Sequence, residues 1–231
     1  MTQATDRHSA FYEWLTPDNA AVLLIDHQLQ LIIGCQSMEP KLLINNTLAL
    51  GQIAKIFNLP VVITTSGSQG PAGSTIPQLV EMFRGHEIID RTLYFNSMAD
   101  PRFANAVKNT GRKKLIVAGI TTDLCVVFPA ISAVAAGYNV HVVVDACASW
   151  DKRIDDAAMM RMSQAGCILT NVQAVAAELQ SSLAERDPEA AKQNQGAIFD
   201  FYTKYVGPTG MITEYWQARA IQSSHAVGAP L

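Results

Sequence analysis

Short apolar runs, most of them rich in Val and Ile, recur along this chain at positions 20–26, 61–65, 87–90, 114–119, 139–145 and 167–170. They are continuously apolar rather than alternating, as strands are when helices cover both faces of a parallel sheet. Between them lie stretches of helical period at 40–57, 77–83, 100–109, 123–136, 154–164 and 172–180, several ending near a Gly or Asn as helix C-caps do (Asn109, Gly111, Gly137, Gly166). Strict strand–helix alternation predicts an α/β fold, a three-layer doubly wound parallel sheet of six strands.

With 231 residues the chain has room for one such domain and a tail. We place the domain at 1–182 and a helical C-terminal extension at 183–231. The extension opens with Glu185, Arg186, Asp187 and Glu189 and then carries Phe199, Phe201, Tyr202, Tyr205, Tyr215 and Trp216. That much aromatic surface must pack on the core or on a neighbouring subunit. Only 16% of residues are charged, which points toward a homo-oligomer. Seventeen basic against 20 acidic side chains, with no basic run, give no electrostatic footprint for nucleic acid or an anionic membrane surface. No apolar run approaches the roughly 20 residues of a membrane span, and the N-terminus has no signal-peptide pattern, so a cytoplasmic protein is expected. Cys35, Cys125, Cys147 and Cys167 show no C-x-x-C spacing, which disfavours disulfides and zinc.

In a doubly wound sheet ligands bind beyond the carboxyl ends of the strands. The candidates there are Asp26 after the first strand, Arg91 after the third, Cys125 after the fourth and Asp145 at the end of the fifth. With Thr122 or Asp123 as cap, Cys125 falls in the first turn of a helix, where unpaired N–H groups and the positive dipole end favour a thiolate. Asp26 could take its proton if strands one and four are neighbours. Spacing alone equally allows a buried helix cysteine and a capping Asp26, with Asp145 as a strand-end cap. His27 adjoins Asp26, and pleat alternation turns it to the opposite side.

The stretches 21–28 (AVLLIDHQ), 117–126 (VAGITTDLCV) and 133–146 (AVAAGYNVHVVVDA) resemble, in order and separation, the isochorismatase-like cysteine hydrolases. The resemblance covers residues 18–180, and 58–65, 128–133 and 161–166 look nearest to the YcaC-like branch. It implies strand order 3-2-1-4-5-6, a site of Asp, Lys and Cys, and octamers of two stacked rings. Asp26 and Cys125 fill two of the site positions. Arg91 stands where most relatives have Lys; an arginine stays charged and does not readily give up its proton, so it is expected to hold Asp26 and lower the thiol's pKa, with a purely structural salt bridge as the alternative. Lys113 and Lys114 lie at the wrong end of the fourth strand, about 17 Å from its carboxyl edge.

The implied chemistry is cleavage of a C–N bond, amide or carbamoyl, in a small molecule through a thioester on Cys125, with Asp26 moving the proton. The N–H groups of Thr121 and Cys125 form the oxyanion hole, and Ile120–Thr121 corresponds to a cis peptide in relatives. Gln28, Asn96, Phe128 and Trp150 are candidate substrate contacts. Isochorismatases proper lack the cysteine. The metal-binding Asp and His of nicotinamidases have no counterpart in 64–70, and that Gly-rich segment lacks the Gly-Lys-Ser/Thr ending of a phosphate loop, so neither metal nor other cofactor is expected. The competing expectation is an oligomeric small-molecule binder or redox sensor with little hydrolytic activity.

Overall fold

A computed structural model describes residues 13–226 of the chain. The outermost parts of the two segments assigned above, 1–12 and 227–231, lie outside the described residues. Six strands, β1 (Ala20–Ile25), β2 (Val61–Ser66), β3 (Ile88–Arg91), β4 (Lys114–Ile120), β5 (Asn139–Ala148) and β6 (Ile168–Thr170), form one sheet of order β3-β2-β1-β4-β5-β6. Every neighbouring pair is parallel. β1 and β4 are buried along their whole length, the pattern continuous apolarity predicts for central strands.

Nine helices connect and flank the strands among the described residues: α1 (Leu29–Gly34), α2 (Pro40–Ile56), α3 (Pro77–Met82), α4 (Pro101–Asn109), α5 (Val127–Ala135), α6 (Lys152–Gln164), α7 (Val172–Arg186), α8 (Pro188–Tyr205) and α9 (Gly207–Ala226). α2, α7 and α8 pack together on one face of the sheet, and α4, α5 and α6 lie on the other. Several starts follow one local rule. Glu39, Asp100 and Asp187 accept a backbone N–H from the first turn, and a proline occupies the first helical position behind each.

The structure differs from the sequence reading at four places. α1 was not anticipated, because six residues are too few to show a helical period. β5 runs on to Ala148, past Asp145, after a register shift opposite Val117–Gly119. Asp145 therefore sits inside a strand rather than capping its end, and its Oδ1 accepts the Val172 N–H at the start of α7 (2.9 Å). The helix expected from 123 begins as a π turn, Thr122–Val126, with α-helix only from Val127. Pro129 has no N–H to give to the Cys125 carbonyl, so a regular ladder cannot run through this segment. Finally, α7 continues to Arg186, and the boundary placed at 182 falls inside it. Asp187 is the break, ending α7 and capping α8.

The aromatic extension packs on its own core through α8. Phe201 is buried and forms ring contacts with Tyr202 and Tyr205, while Asn45 on α2 donates to the Tyr205 carbonyl (2.9 Å). α9 leaves Met211, Ile212, Tyr215 and Trp216 exposed. No described helix is long and apolar enough to cross a membrane.

Two histidines are buried in the sheet layer. His27 lies behind β1 with Nε2 against the Ala146 carbonyl (3.3 Å), and His141 lies in β5 beside Lys114. Burial, and for His141 also the Lys114 charge, pushes each imidazole down to about 4. Each is neutral in the folded protein at pH values where the unfolded chain, near 6.5, already takes up a proton. Each therefore supports the fold above that value and withdraws support as pH falls toward 4. Asp26, Asp145 and Asp155, whose carboxyls burial raises, act in the opposite sense, so a difference isolates the histidine. Between about pH 7.5 and pH 5, denaturant unfolding of His141→Gln should lose roughly 2 kcal/mol less stability than the wild type. Equal losses would contradict a neutral His141.

Candidate active site

β1 and β4 pair at the point where the strand order reverses, with Ile25 opposite Gly119. Gly119 permits the approach, since a Cβ there would lie 2.5 Å from the Ile25 carbonyl oxygen. The chain then leaves β1 through Asp26 in the left-handed region (φ 55°) and leaves β4 through a cis Ile120–Thr121 peptide into the π turn that carries Cys125. Positive φ at a non-glycine residue and a π turn are both features that cluster at functional sites.

Three of the expected residues meet here. Arg91, the last residue of β3, reaches across β2 to β1, a span of roughly 10 Å for two strand spacings. On the way its Nε donates to Thr64 Oγ1 on β2 (2.9 Å), and its Nη1 donates to the carbonyls of Tyr94 (2.7 Å) and Phe95 (3.4 Å). Its Nη2 donates to both carboxylate oxygens of Asp26. Every guanidinium donor is thereby used, and both side chains are wholly buried. Cys125 lies close enough to Asp26 for the thiol and the carboxylate to act on each other, and the Thr121 backbone N–H acts on the sulfur. Cys125 keeps 6% of its surface exposed, whereas Cys147 on β5 is closed off completely.

Electrostatics set the resting state. Burial pushes the Asp26 carboxyl above its ordinary range, with Arg91 pulling it back. Burial and the Asp26 charge push the Cys125 thiol up, and Arg91 and the Thr121 N–H only partly offset them. Arg91 holds Asp26 and acts on the thiol in the expected direction, but burial and Asp26 outweigh it, which corrects the expectation of a thiolate favoured by a helix terminus. Asp26 and Arg91 already balance each other, so a thiolate would add an uncompensated buried negative charge. Cys125 rests as a thiol whose proton has an acceptor in place.

Of the other expected contacts, Gln28 and Asn96 are committed to the frame. Gln28 is fully buried, with Oε1 accepting the Ser66 N–H (2.9 Å) and Nε2 bonded to the Ser66 and Gly73 carbonyls, so its amide braces the loop after β2. Asn96 accepts the Met98 N–H (3.1 Å) and donates to Ser132 on α5 (2.9 Å). Phe128 lies beneath the Arg161 guanidinium (5.5 Å). Trp150 remains partly exposed and packs over Gly34, where an added Cβ would meet its ring at 2.6 Å. Thr121 is buried, and its hydroxyl oxygen has no hydrogen-bond partner.

Sequence reasoning passed over three supporting groups. Thr64 carries the Arg91 side chain. Ser149 donates to Asp123 Oδ1 (2.6 Å), and its own N–H is held by Ser37 Oγ (2.8 Å), which ties the π turn to the loop after α1. Asp90 accepts from Thr65 and Ser68 and fixes the loop after β2. Their one common signal is position at the end of a strand or just beyond it. Among the described residues no group of three His, Cys, Asp or Glu side chains is placed to hold a metal ion.

The chain compares directly with known proteins. Residues 20–174 match the isochorismatase domain model, and the chain belongs to the isochorismatase family of hydrolases. It is 44% identical over 168 residues to a protein described as probable hydrolase YcaC of Escherichia coli, covering 73% of this chain and 81% of that one. Among solved structures it is similar to YcaC from Pseudomonas aeruginosa with hexane-2,5-diol and covalent acrylamide (TM-score 0.81, 36% identity, 89% of this chain and 98% of that one). It is equally similar to YcaC from Escherichia coli, described as an octameric hydrolase of unknown specificity (TM-score 0.82, 36% identity, 90% and 98%).

Removing Arg91 leaves the Asp26 carboxylate buried without a counter-charge. Arg91→Ala should therefore cost about 3–5 kcal/mol in denaturant unfolding near neutral pH. Arg91→Lys keeps the charge but cannot serve Thr64, both carbonyls and the carboxylate together, and should fall between the two. A stability of Arg91→Ala matching the wild type would contradict the pairing.

Proposed function

We propose that the protein is a cysteine hydrolase that cleaves a C–N bond, amide or carbamoyl, of a small molecule. The observation that carries this reading is the buried line Cys125 thiol, Asp26 carboxylate, Arg91 guanidinium. The thiol passes its proton to Asp26 as sulfur attacks the carbonyl carbon, and the N–H groups of Thr121 and Cys125 receive the developing oxyanion. Asp26 then protonates the leaving amine as the C–N bond breaks and a thioester remains. Asp26 next takes a proton from water, the hydroxyl adds to the thioester, and the acid departs as the sulfur regains its proton. Arg91 stays charged throughout and fixes Asp26. None of these steps needs a cofactor.

The covalent acrylamide carried by the Pseudomonas aeruginosa relative supports a site that a small amide can reach. The octameric Escherichia coli relative supports a homo-oligomer here, with the exposed apolar residues of α9 available for contact. In this reading the part of the chain up to Arg186 holds the chemistry and the helices after Asp187 extend it. Free thiols on all four cysteines fit a reducing cytoplasm.

A screen of amides and carbamoyl compounds that follows both amine and acid should find turnover. Cys125→Ser and Asp26→Asn should each lose about a thousandfold or more in kcat/KM, as removal of a nucleophile or its base does elsewhere. Rapid-quench intact mass should show an acyl adduct on Cys125 that is absent from Cys125→Ser. Undiminished turnover by Cys125→Ser would overturn the reading.

A further inference from the structure

An acyl substrate that carries a carboxylate needs a cation at its binding site, and among the described residues none with free donors lies against Cys125. Arg91, the one cation in the buried line, has its donors committed to Thr64, Tyr94, Phe95 and Asp26. The next cations along this edge are also occupied. Arg102 bonds the Asp100 carboxylate (3.0 Å) and the Asp90 carbonyl (2.6 Å), Lys152 pairs with Asp156, and Arg153 pairs with Asp151 (3.1 Å).

Arg161 is stacked on the Phe128 ring (5.5 Å), and among the described residues the charged side chains nearest the sulfur, apart from Arg91, are acidic. Asp26 lies against the sulfur, Asp90 acts on Asp26 from β3, two strands away, and Asp123 is part of the nucleophile turn. Asp155 is buried at the start of α6 with Oδ1 unpartnered. Around them the rim formed by the loop after β3 and the end of β5 exposes Leu93, Phe95 and Trp150. Among the polar groups both Gln28 N–H groups are held by backbone carbonyls, which leaves the uncharged hydroxyls of Thr121 and Thr122 as side-chain donors without a partner.

We infer that the site accepts acyl compounds that are uncharged around the scissile group and bear an apolar substituent, and that it rejects those carrying a carboxylate there. This rests on the reading of Cys125 as the attacking atom. A carboxylate brought beside the sulfur would, like a thiolate, add a negative charge that the already balanced Asp26–Arg91 pair does not compensate, in surroundings where burial screens charge least.

The test uses two alkylating agents of nearly equal size, neutral iodoacetamide and anionic iodoacetate, on the full-length wild-type protein. In both reactions sulfur forms a C–S bond, iodide leaves with its electron pair, and the thiol proton passes to Asp26. The rate at Cys125 is read from the mass of its peptide, and the iodoacetamide-to-iodoacetate ratio is divided by the same ratio for a small-molecule thiol. The normalised ratio should favour iodoacetamide by about tenfold or more, the low end of what a cleft lined by one sign of charge does to an on-rate. A ratio matching the free thiol, or one favouring iodoacetate, overturns the inference. Failure of both reagents to label Cys125 overturns it too, because a cleft closed to a small neutral electrophile takes no neutral substrate.

A second arm compares hydrolysis of butyramide and succinamate, which differ by a methyl against a carboxylate, with faster turnover of butyramide expected. If the alkylation ratio stands and no amide is hydrolysed, the hydrolase reading fails and the charge selectivity remains.

Discussion

Arg91 and Asp26 form an ion pair with no access to water, across a strand that belongs to neither of them. A buried pair of this kind gains little stability over an apolar filling, but losing one partner is costly, so each fixes the presence and position of the other. Thr64 on the intervening strand and the Tyr94 and Phe95 carbonyls leave the guanidinium one orientation. The carboxylate is thereby fixed before any substrate arrives. Arginine suits this task, because its planar fork serves several acceptors at once.

The nucleophile is delivered by a different device. Strand order sets β1 beside β4, and the bare Cα of Gly119 lets the two approach where Asp26 begins. The π turn then carries Cys125 to the carboxylate. It is pinned by Ser149 on Asp123 on one side and by the paired Leu124 and Val126 N–H groups on the Thr121 carbonyl on the other. Burial keeps the sulfur protonated at rest, so reactivity depends on proton transfer to Asp26 as a bond forms rather than on a standing thiolate. Regular helix would have put the same residue elsewhere, and Pro129 prevents it.

Much of this was legible in the sequence because it depends on pattern. Continuous Val and Ile runs announced buried parallel strands, and the rule that ligands sit beyond carboxyl ends narrowed the search to Asp26, Arg91, Cys125 and Asp145. Strand order, and with it the adjacency of β1 and β4, came from family resemblance, since periodicity says nothing about which strands pair. Groups whose role depends on where a side chain lands were not legible. Gln28 stands next to the site in sequence, yet its amide is turned onto the loop after β2. Thr64 and Ser149 look like ordinary strand residues until Arg91 and Asp123 are seen to rest on them. Asp145 looked like the end of a strand because a charge interrupts the apolar run, but the Val172 N–H provides it a partner in mid-strand.

The central claim is that the Cys125 proton is held by coupling to Asp26 beside a fixed guanidinium. Thiolate ultraviolet absorbance, taken as the difference between each protein and its Cys125→Ser counterpart, measures that coupling directly as pH is raised from acid to alkaline. In the wild type the thiolate should be absent through neutral pH. In Asp26→Asn, with the opposing charge gone and Arg91 left facing the sulfur, it should appear at distinctly lower pH. Superimposable titrations in the two proteins would show that the groups do not interact, and the account would fail.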